Sequence, residues 1–251
     1  LEVAKLSSMS SLKKLDSKSL ISRKCIYLKD SILKSPGGII CEFKRRSPSN
    51  NNINYKSDIS EVVRGYEKAG AAGLSILTNK QYFDGDIKDV LNIIDIASIP
   101  ILRKEFIISE YQIIESKSIG SDAILLIASI LSKEEIKNFS SLAKSIGLEV
   151  LYEIHDAREL EKISWDNTDI IGVNNRNLDT LEIDIQNSID VYSMIPESFV
   201  KISESGISKV ETILKLREVG YQGFLIGENF MRTDDPFKSA YNFIKEVQNE
   251  I

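Results

Sequence analysis

Short apolar runs recur along the chain, and one after another ends on a charged or polar side chain. Ile39-Ile40-Cys41 leads into Glu42-Phe43-Lys44, and Ile99-Pro100-Ile101-Leu102 leads into Arg103-Lys104. Glu149-Val150-Leu151-Tyr152 runs into Glu153, Ile170-Ile171-Gly172-Val173 into Asn174, and Val200-Lys201-Ile202-Ser203 into Glu204. Ending a buried strand on a charge is costly unless that end opens into a polar cavity. Five such endings predict five strands that deliver polar groups to one shared mouth.

The same pattern continues over the whole region after Gly37-Gly38. Strands are predicted at about 39–43, 73–77, 99–103, 122–127, 148–152, 169–173, 200–203 and 222–226. Between them lie helical stripes: Ile59, Val62, Val63, Tyr66 and Ala69; Val90, Ile93, Ile94 and Ala97; Ile136, Phe139, Leu142, Ala143 and Ile146; Val210, Ile213, Leu214 and Leu216. Gly70, Gly120, Gly147 and Gly220 stand where a helix ends on a left-handed residue before the next strand. Strand–helix alternation predicts an α/β fold with a parallel sheet, and eight repeats favour closure into a (β/α)8 TIM barrel. An open, doubly wound sheet is the alternative.

Residues 1–36 precede the repeats, are rich in Lys and Ser, and carry modest helical periodicity at Leu12, Leu15, Ile26 and Leu33. They read either as a solvated extension or as a helical lid across a barrel end. The organisation expected is a single barrel domain over 1–251, with 1–36 as the N-terminal helical extension and 37–251 as the barrel. Because the chain opens on Leu1 and not on Met, the natural start is expected to lie upstream. Leu1 to Ser11 lack a basic-then-apolar signal pattern, and no apolar run approaches membrane-spanning length, so a cytoplasmic protein is expected.

Of the 251 residues 42% are hydrophobic and 27% charged, as in an ordinary globular protein. A net charge of −5 disfavours generic nucleic-acid binding, which needs a basic surface. It leaves room for a phosphorylated small molecule held by backbone N–H groups. Cys25, Cys41 and the single His155 form no metal-ligand spacing and no His-centred triad.

Strand parity sharpens the candidate site. Residues two apart share a face, so Glu42 goes with Lys44, Leu102 with Lys104, Leu151 with Glu153 and Gly172 with Asn174. If these ends face inward, Glu42, Lys44, Lys104, Glu153, Asn174 and Glu204 converge at the C-terminal mouth. A second cluster reads as a phosphate cradle: Glu204-Ser205-Gly206-Ile207 after the seventh strand, and Ile226-Gly227-Glu228 after the eighth, each expected to open a helix. The alternative makes Gly206 and Gly227 simple turn formers.

These residues resemble the indole-3-glycerol phosphate synthase family. Ile40-Cys41-Glu42-Phe43-Lys44-Arg45-Arg46-Ser47-Pro48-Ser49 is similar to its first-strand signature, and Leu77-Thr78 with Tyr82-Phe83-Asp84-Gly85 to its second βα loop. Pro100-Ile101-Leu102-Arg103-Lys104-Glu105-Phe106-Ile107 resembles its third strand. Glu153-Ile154-His155, Gly172-Val173-Asn174-Asn175-Arg176-Asn177-Leu178 and the two closing segments follow in the expected order, from about residue 36 to 235. Asn50-Asn51-Asn52 and Asn229 depart from the usual pattern, and the N-terminal extension does not align clearly.

The resemblance implies ring closure, decarboxylation and dehydration of 1-(2-carboxyphenylamino)-1-deoxyribulose 5-phosphate to indole-3-glycerol phosphate, a lyase step of tryptophan biosynthesis. It implies Lys104 as the acid that protonates the developing oxyanion, a role suited to an ammonium whose pKa is lowered by other cations. Lys44 is expected to supply that repulsion while pairing with the substrate carboxylate, and Glu42 to hold Lys44 or Lys104. Glu153 is expected to transfer protons, and Asn174, Glu204 and Ser205 to hydrogen-bond the sugar hydroxyls. Arg176 matches an anion-binding position, and Phe83, Phe106 and Leu178 either surround the anthranilate ring or pack as ordinary core. Ser47, Gly206, Gly227 and Glu228 are expected around the phosphate, Ser47 also touching the rest of the substrate. No metal or organic cofactor is implied; the partner is a small phosphorylated substrate, with no nucleic acid or membrane, and the chain is expected to be a monomer or weak dimer. Competing readings are another phosphosugar barrel enzyme, such as phosphoribosyl anthranilate isomerase, for which Cys41 is a tempting acid–base group although strand parity turns it to the face opposite Glu42, or a non-catalytic phosphate-ligand-binding barrel.

Overall fold

Each apolar run from Ile39 onward becomes a parallel strand because both of its faces find apolar cover, one inside a barrel and one beneath helices. The computed structural model describes residues 23–177 and 180–251. Its strands are β1 (Ile39–Phe43), β2 (Gly73–Leu77), β3 (Ile101–Lys104), β4 (Ala123–Ile127), β5 (Glu149–Ile154), β6 (Ile170–Asn174), β7 (Val200–Glu204) and β8 (Gly223–Ile226). They pair in sequence order, and β1 pairs with both β2 and β8, which closes the barrel. The (β/α)8 expectation therefore holds, and the open sheet does not.

The helices are α1 (Leu28–Lys34), α2 (Ile59–Ala69), α3 (Lys80–Phe83), α4 (Ile87–Ile93), α5 (Glu110–Ser118), α6 (Lys133–Ser145), α7 (Gln186–Tyr192), α8 (Val210–Val219), α9 (Glu228–Met231) and α10 (Pro236–Glu250). Between β5 and β6 the cover is two short 3₁₀ turns, Ala157–Lys162 and Trp165–Asn167. The periodic stripes bury as their spacing demands: Ile59, Val62, Val63, Tyr66 and Ala69 of α2 all face the sheet. Asp58 caps α2 by accepting the Ser60 and Glu61 N–H groups, and Gly70, at φ +92°, ends it.

Several boundaries shift by a residue or two from the sequence pattern, β5 for example running on to Ile154. β3 starts at Ile101 and not at Ile99, because Pro100 has no N–H to give a ladder and contributes only its carbonyl, to Leu74 N–H at 2.9 Å. α4 stops at Ile93, short of the Ala97 end of its apolar stripe.

Leu12 and Leu15 of the N-terminal extension lie outside the described residues. From Arg23 onward the extension lies across a barrel end with its outer side exposed at Tyr27 and Leu33, but the end is the N-terminal one and not the mouth: α1 closes it. Leu28 and Ile32, both fully buried, join the interior cluster with Ile40, Leu102, Leu151 and Leu225. Glu149, the first residue of β5, caps α1 by accepting the Leu28 N–H and, at 3.2 Å, the Lys29 N–H. Asp122 accepts the Ile26 and Ile101 N–H groups, both at 2.8 Å, and pairs with Arg23.

Candidate active site

The inward positions at the C-terminal ends of β1, β3, β5, β6 and β7 carry ionisable or amide groups, and the barrel curvature points them at one another. Lys104 ends β3 and reaches across the mouth to donate to Glu204 Oε2 from β7. Its Nζ also lies 3.5 Å from Glu153 Oε2 and 3.9 Å from Glu42 Oε2. Glu42 turns its other oxygen to Lys44 Nζ at 2.9 Å and accepts from Ser75 Oγ at 3.2 Å. Asn174 Nδ2 donates to Glu153 Oε1 at 3.1 Å. All six residues that strand parity marked as inward thus form one connected network.

Above the network opens a cavity of about 840 Å³. Glu42, Lys44, Lys104, Glu153, Asn174 and Arg176 line it, and so do the expected phosphate-end residues Ser47, Ser205, Gly206, Gly227 and Glu228. Glu204 is different: it is fully buried beneath Lys104 and does not reach the cavity wall, so it is not placed to meet a sugar hydroxyl. Its contact is with the lysine.

The electrostatics correct one expectation. Lys104 does not have its proton affinity lowered by a neighbouring cation. Burial works in that direction, but the charges of Glu204, Glu153 and Glu42 outweigh it and hold the ammonium well above its ordinary value. Glu42 sits below the usual carboxylate range; burial pushes it up, and Lys44 and Lys104 together pull it further down. Glu204 goes the other way, because its full burial outweighs the attraction of Lys104.

At the rim, Arg176 donates from its backbone N–H to Asn174 Oδ1 at 2.9 Å and from its guanidinium to Leu181 O at 3.0 Å. Phe83 and Phe106 are half-buried on the cavity wall, their ring centroids 6.3 Å apart, and the edge of Tyr82 meets Phe106 at 5.6 Å. They are wall residues and not plain core. Leu178 lies outside the described residues. The loop after β7 does not open a helix directly: Ser205 (φ +70°) and Gly206 (φ +76°) are both left-handed, and α8 begins only at Val210. Gly227 does precede a helix, the single-turn α9. Glu228 turns its carboxylate toward Asn50 Nδ2 at 3.4 Å; being anionic, that group can offer a phosphate only its backbone N–H.

Sequence reasoning quoted Tyr82, Glu105 and Gly172 within larger runs without giving them a role, and passed over Asn79. Glu105 ties two loops together: it accepts from Thr78 Oγ1 at 2.8 Å, Asn79 Nδ2 at 2.9 Å and the Phe106 N–H at 2.9 Å. That clamp fixes the aromatic wall, and its signal in the chain is the acid immediately after Lys104. Among the described residues no group of His, Cys, Asp and Glu could hold a metal ion. Cys41 faces the helix layer with Ile39 and Phe43, where burial pushes its thiol far up, so it cannot serve as an acid–base group in the cavity.

Known proteins agree with this geometry. A family described as indole-3-glycerol phosphate synthase matches residues 1–243. An indole-3-glycerol phosphate synthase of Bacteroides thetaiotaomicron is 45% identical over 221 residues, covering 88% of this chain and 85% of that protein. Another, of Sulfurisphaera tokodaii, is 42% identical over 216 residues, covering 85% and 87%. Among solved structures, a thiamine phosphate pyrophosphorylase from Pyrococcus furiosus superposes with TM-score 0.62 at 13% identity, over 87% of this chain and 98% of that one. At that identity the likeness speaks for the fold alone. With the strand-end network, the ordered motifs and the relatives in agreement, the chain belongs to the indole-3-glycerol phosphate synthase family.

Proposed function

We infer that this chain closes the pyrrole ring of indole-3-glycerol phosphate, releasing CO2 and water from 1-(2-carboxyphenylamino)-1-deoxyribulose 5-phosphate. The observation that carries this reading is the Lys104 ammonium, held by Glu42, Glu153 and Glu204 from three other strands under a cavity of substrate size. Ring closure develops negative charge on the former ketone oxygen. A fixed cation aimed at that point stabilises it most where water is excluded. The three carboxylates raise the proton affinity of Lys104, so the donor is charged at neutral pH. Glu204 accepts the hydrogen bond of the Lys104 ammonium and so fixes where that donor stands.

Lys44 and Arg176 face the cavity and are the cations available to the substrate's anthranilate carboxylate. Glu153, held by Asn174 and near Lys104, transfers protons during dehydration. Phe83 and Phe106 pack against one side of the aromatic ring. Ser47, Ser205 and the backbone at Gly206, Gly227 and Glu228 take the phosphate end. Purified chain incubated with the carboxyphenylamino substrate should produce indole absorbance together with one CO2 per turnover. Binding without either product would overturn the reading in favour of a ligand-holding barrel.

A further inference from the structure

A glycine in the middle of a strand weakens it, and so calls for a reason. Gly172 lies in β6, between inward-facing Ile170 and Asn174, and is fully enclosed. Its φ is not in the left-handed region, so backbone conformation does not demand glycine there. Space does. A Cβ at position 172 would stand 2.2 Å from Glu204 Oε1 and 3.2 Å from its Cδ, well inside contact distance. The Glu204 carboxylate therefore fills the volume that any other side chain at 172 would occupy.

The state of Glu204 makes that volume consequential. Oε2 accepts from Lys104, whereas Oε1 is buried and has no hydrogen-bond partner among the described residues. A carboxylate whose only hydrogen bond is to Lys104 has no other polar anchor; the shape of its niche decides where the pair rests. We propose that Gly172 is a positioning residue for the reaction, the missing side chain that lets Glu204 fold back over β6 and set the place of Lys104. The inference rests on the reading of Lys104 as the acid.

The test compares wild type with Gly172→Ala, Glu204→Asp and the double variant, reading kcat, KM, the pH profile and thermal melting. Gly172→Ala should lower kcat about 10²-fold, the order expected when a reacting group moves by about 1 Å, with KM changed little. Its alkaline limb should move to lower pH, because Glu204 is the nearest charge that keeps Lys104 protonated; a merely structural defect would leave that limb in place. In Gly172→Ala with Glu204→Asp the acid is one methylene shorter, and kcat should recover about tenfold over the Gly172→Ala single variant, a coupling typical of side chains in contact. Wild-type kcat and profile in Gly172→Ala, or losses that simply multiply in the double variant, would overturn the proposal. Should Gly172→Ala not fold, restored folding in the double variant supports the clash and continued failure overturns it. An inactive wild type would instead overturn the proposed function.

Discussion

Lys104→Ala removes an ammonium that three carboxylates share, and the structure says what each of them loses. Glu42 keeps Lys44 and Ser75, and Glu153 keeps the Asn174 amide. Glu204 keeps nothing: Oε1 has no partner already, and Oε2 gives up the one it has. Left fully buried and unpaired, Glu204 must take a proton. Removing one partner from a buried pair in this way costs roughly 3–5 kcal/mol. For a chain of this length the loss corresponds to a melting temperature lower by about 6–20 °C.

The sign with pH is diagnostic. In the variant Glu204 binds its proton more tightly folded than unfolded, so stability falls as pH rises and returns as pH drops toward about 5. In the wild type Glu204 is pushed up only to about 7, so its loss of stability levels off above that pH while the variant's continues. Glu42, held below its ordinary value, loses its contribution on acidification. Melting curves of the two proteins, recorded by circular dichroism from about pH 5 to pH 8, should therefore lie far apart at the alkaline end and converge at the acid end. Turnover, followed by indole fluorescence, should fall by about 10²–10⁴ with the fold retained. Near-parental turnover, or a stability gap that does not close in acid, would refute the shared-ammonium account.

Glu153→Gln keeps the size of the side chain and an oxygen to accept from Asn174, so substrate should bind nearly as before while kcat drops by about 10²-fold or more; poor binding with parental kcat would move Glu153 out of the chemistry. Gly227→Ala would put a Cβ 2.6 Å from Glu42 Oε1 and 2.9 Å from Glu42 Cβ. Its defect should therefore include a kcat loss of about tenfold or more through Glu42, and a loss confined to KM for the phosphorylated substrate would show that Gly227 serves the phosphate alone.

The fold was legible because its strands are buried on both faces and end in polar groups, a contrast that survives without knowledge of neighbours. Parity then placed Glu42, Lys104, Glu153 and Asn174 on one face, and turned Cys41 away. What stayed hidden depends on contacts distant in sequence. α1 offers only one turn of apolar spacing, Leu28 and Ile32, and its cap, Glu149, lies 121 residues from Leu28. The direction in which Lys104 shifts depends on strands β3 and β7 facing each other across the mouth, and on Glu204 being buried; the list of charged residues alone favoured the repulsion of Lys44. Gly172 was visible only as part of a motif, since what it accommodates is a side chain from the next strand.

The two ends of the barrel use enclosed glycines for opposite purposes. At the base, a Cβ at Gly73 would meet Leu28 Cδ1 at 2.6 Å, so glycine there admits an apolar side chain of α1. Burying that leucine contributes about 1.5–3 kcal/mol. At the mouth, Gly172 admits a carboxylate whose bare oxygen costs about 1–3 kcal/mol. The same packing device thus stabilises one end and loads the other, and the load serves only the lysine. Replacing the pair by apolar groups of similar size, in a Lys104→Met, Glu204→Leu double variant, should therefore leave stability unchanged or raise it by about 1–4 kcal/mol, as for other buried ion pairs exchanged for packing. Turnover should be lost at the same time. A double variant that melts well below the wild type at pH 8 would mean that the ion pair holds the mouth together, and the cost assigned to Glu204 would be wrong.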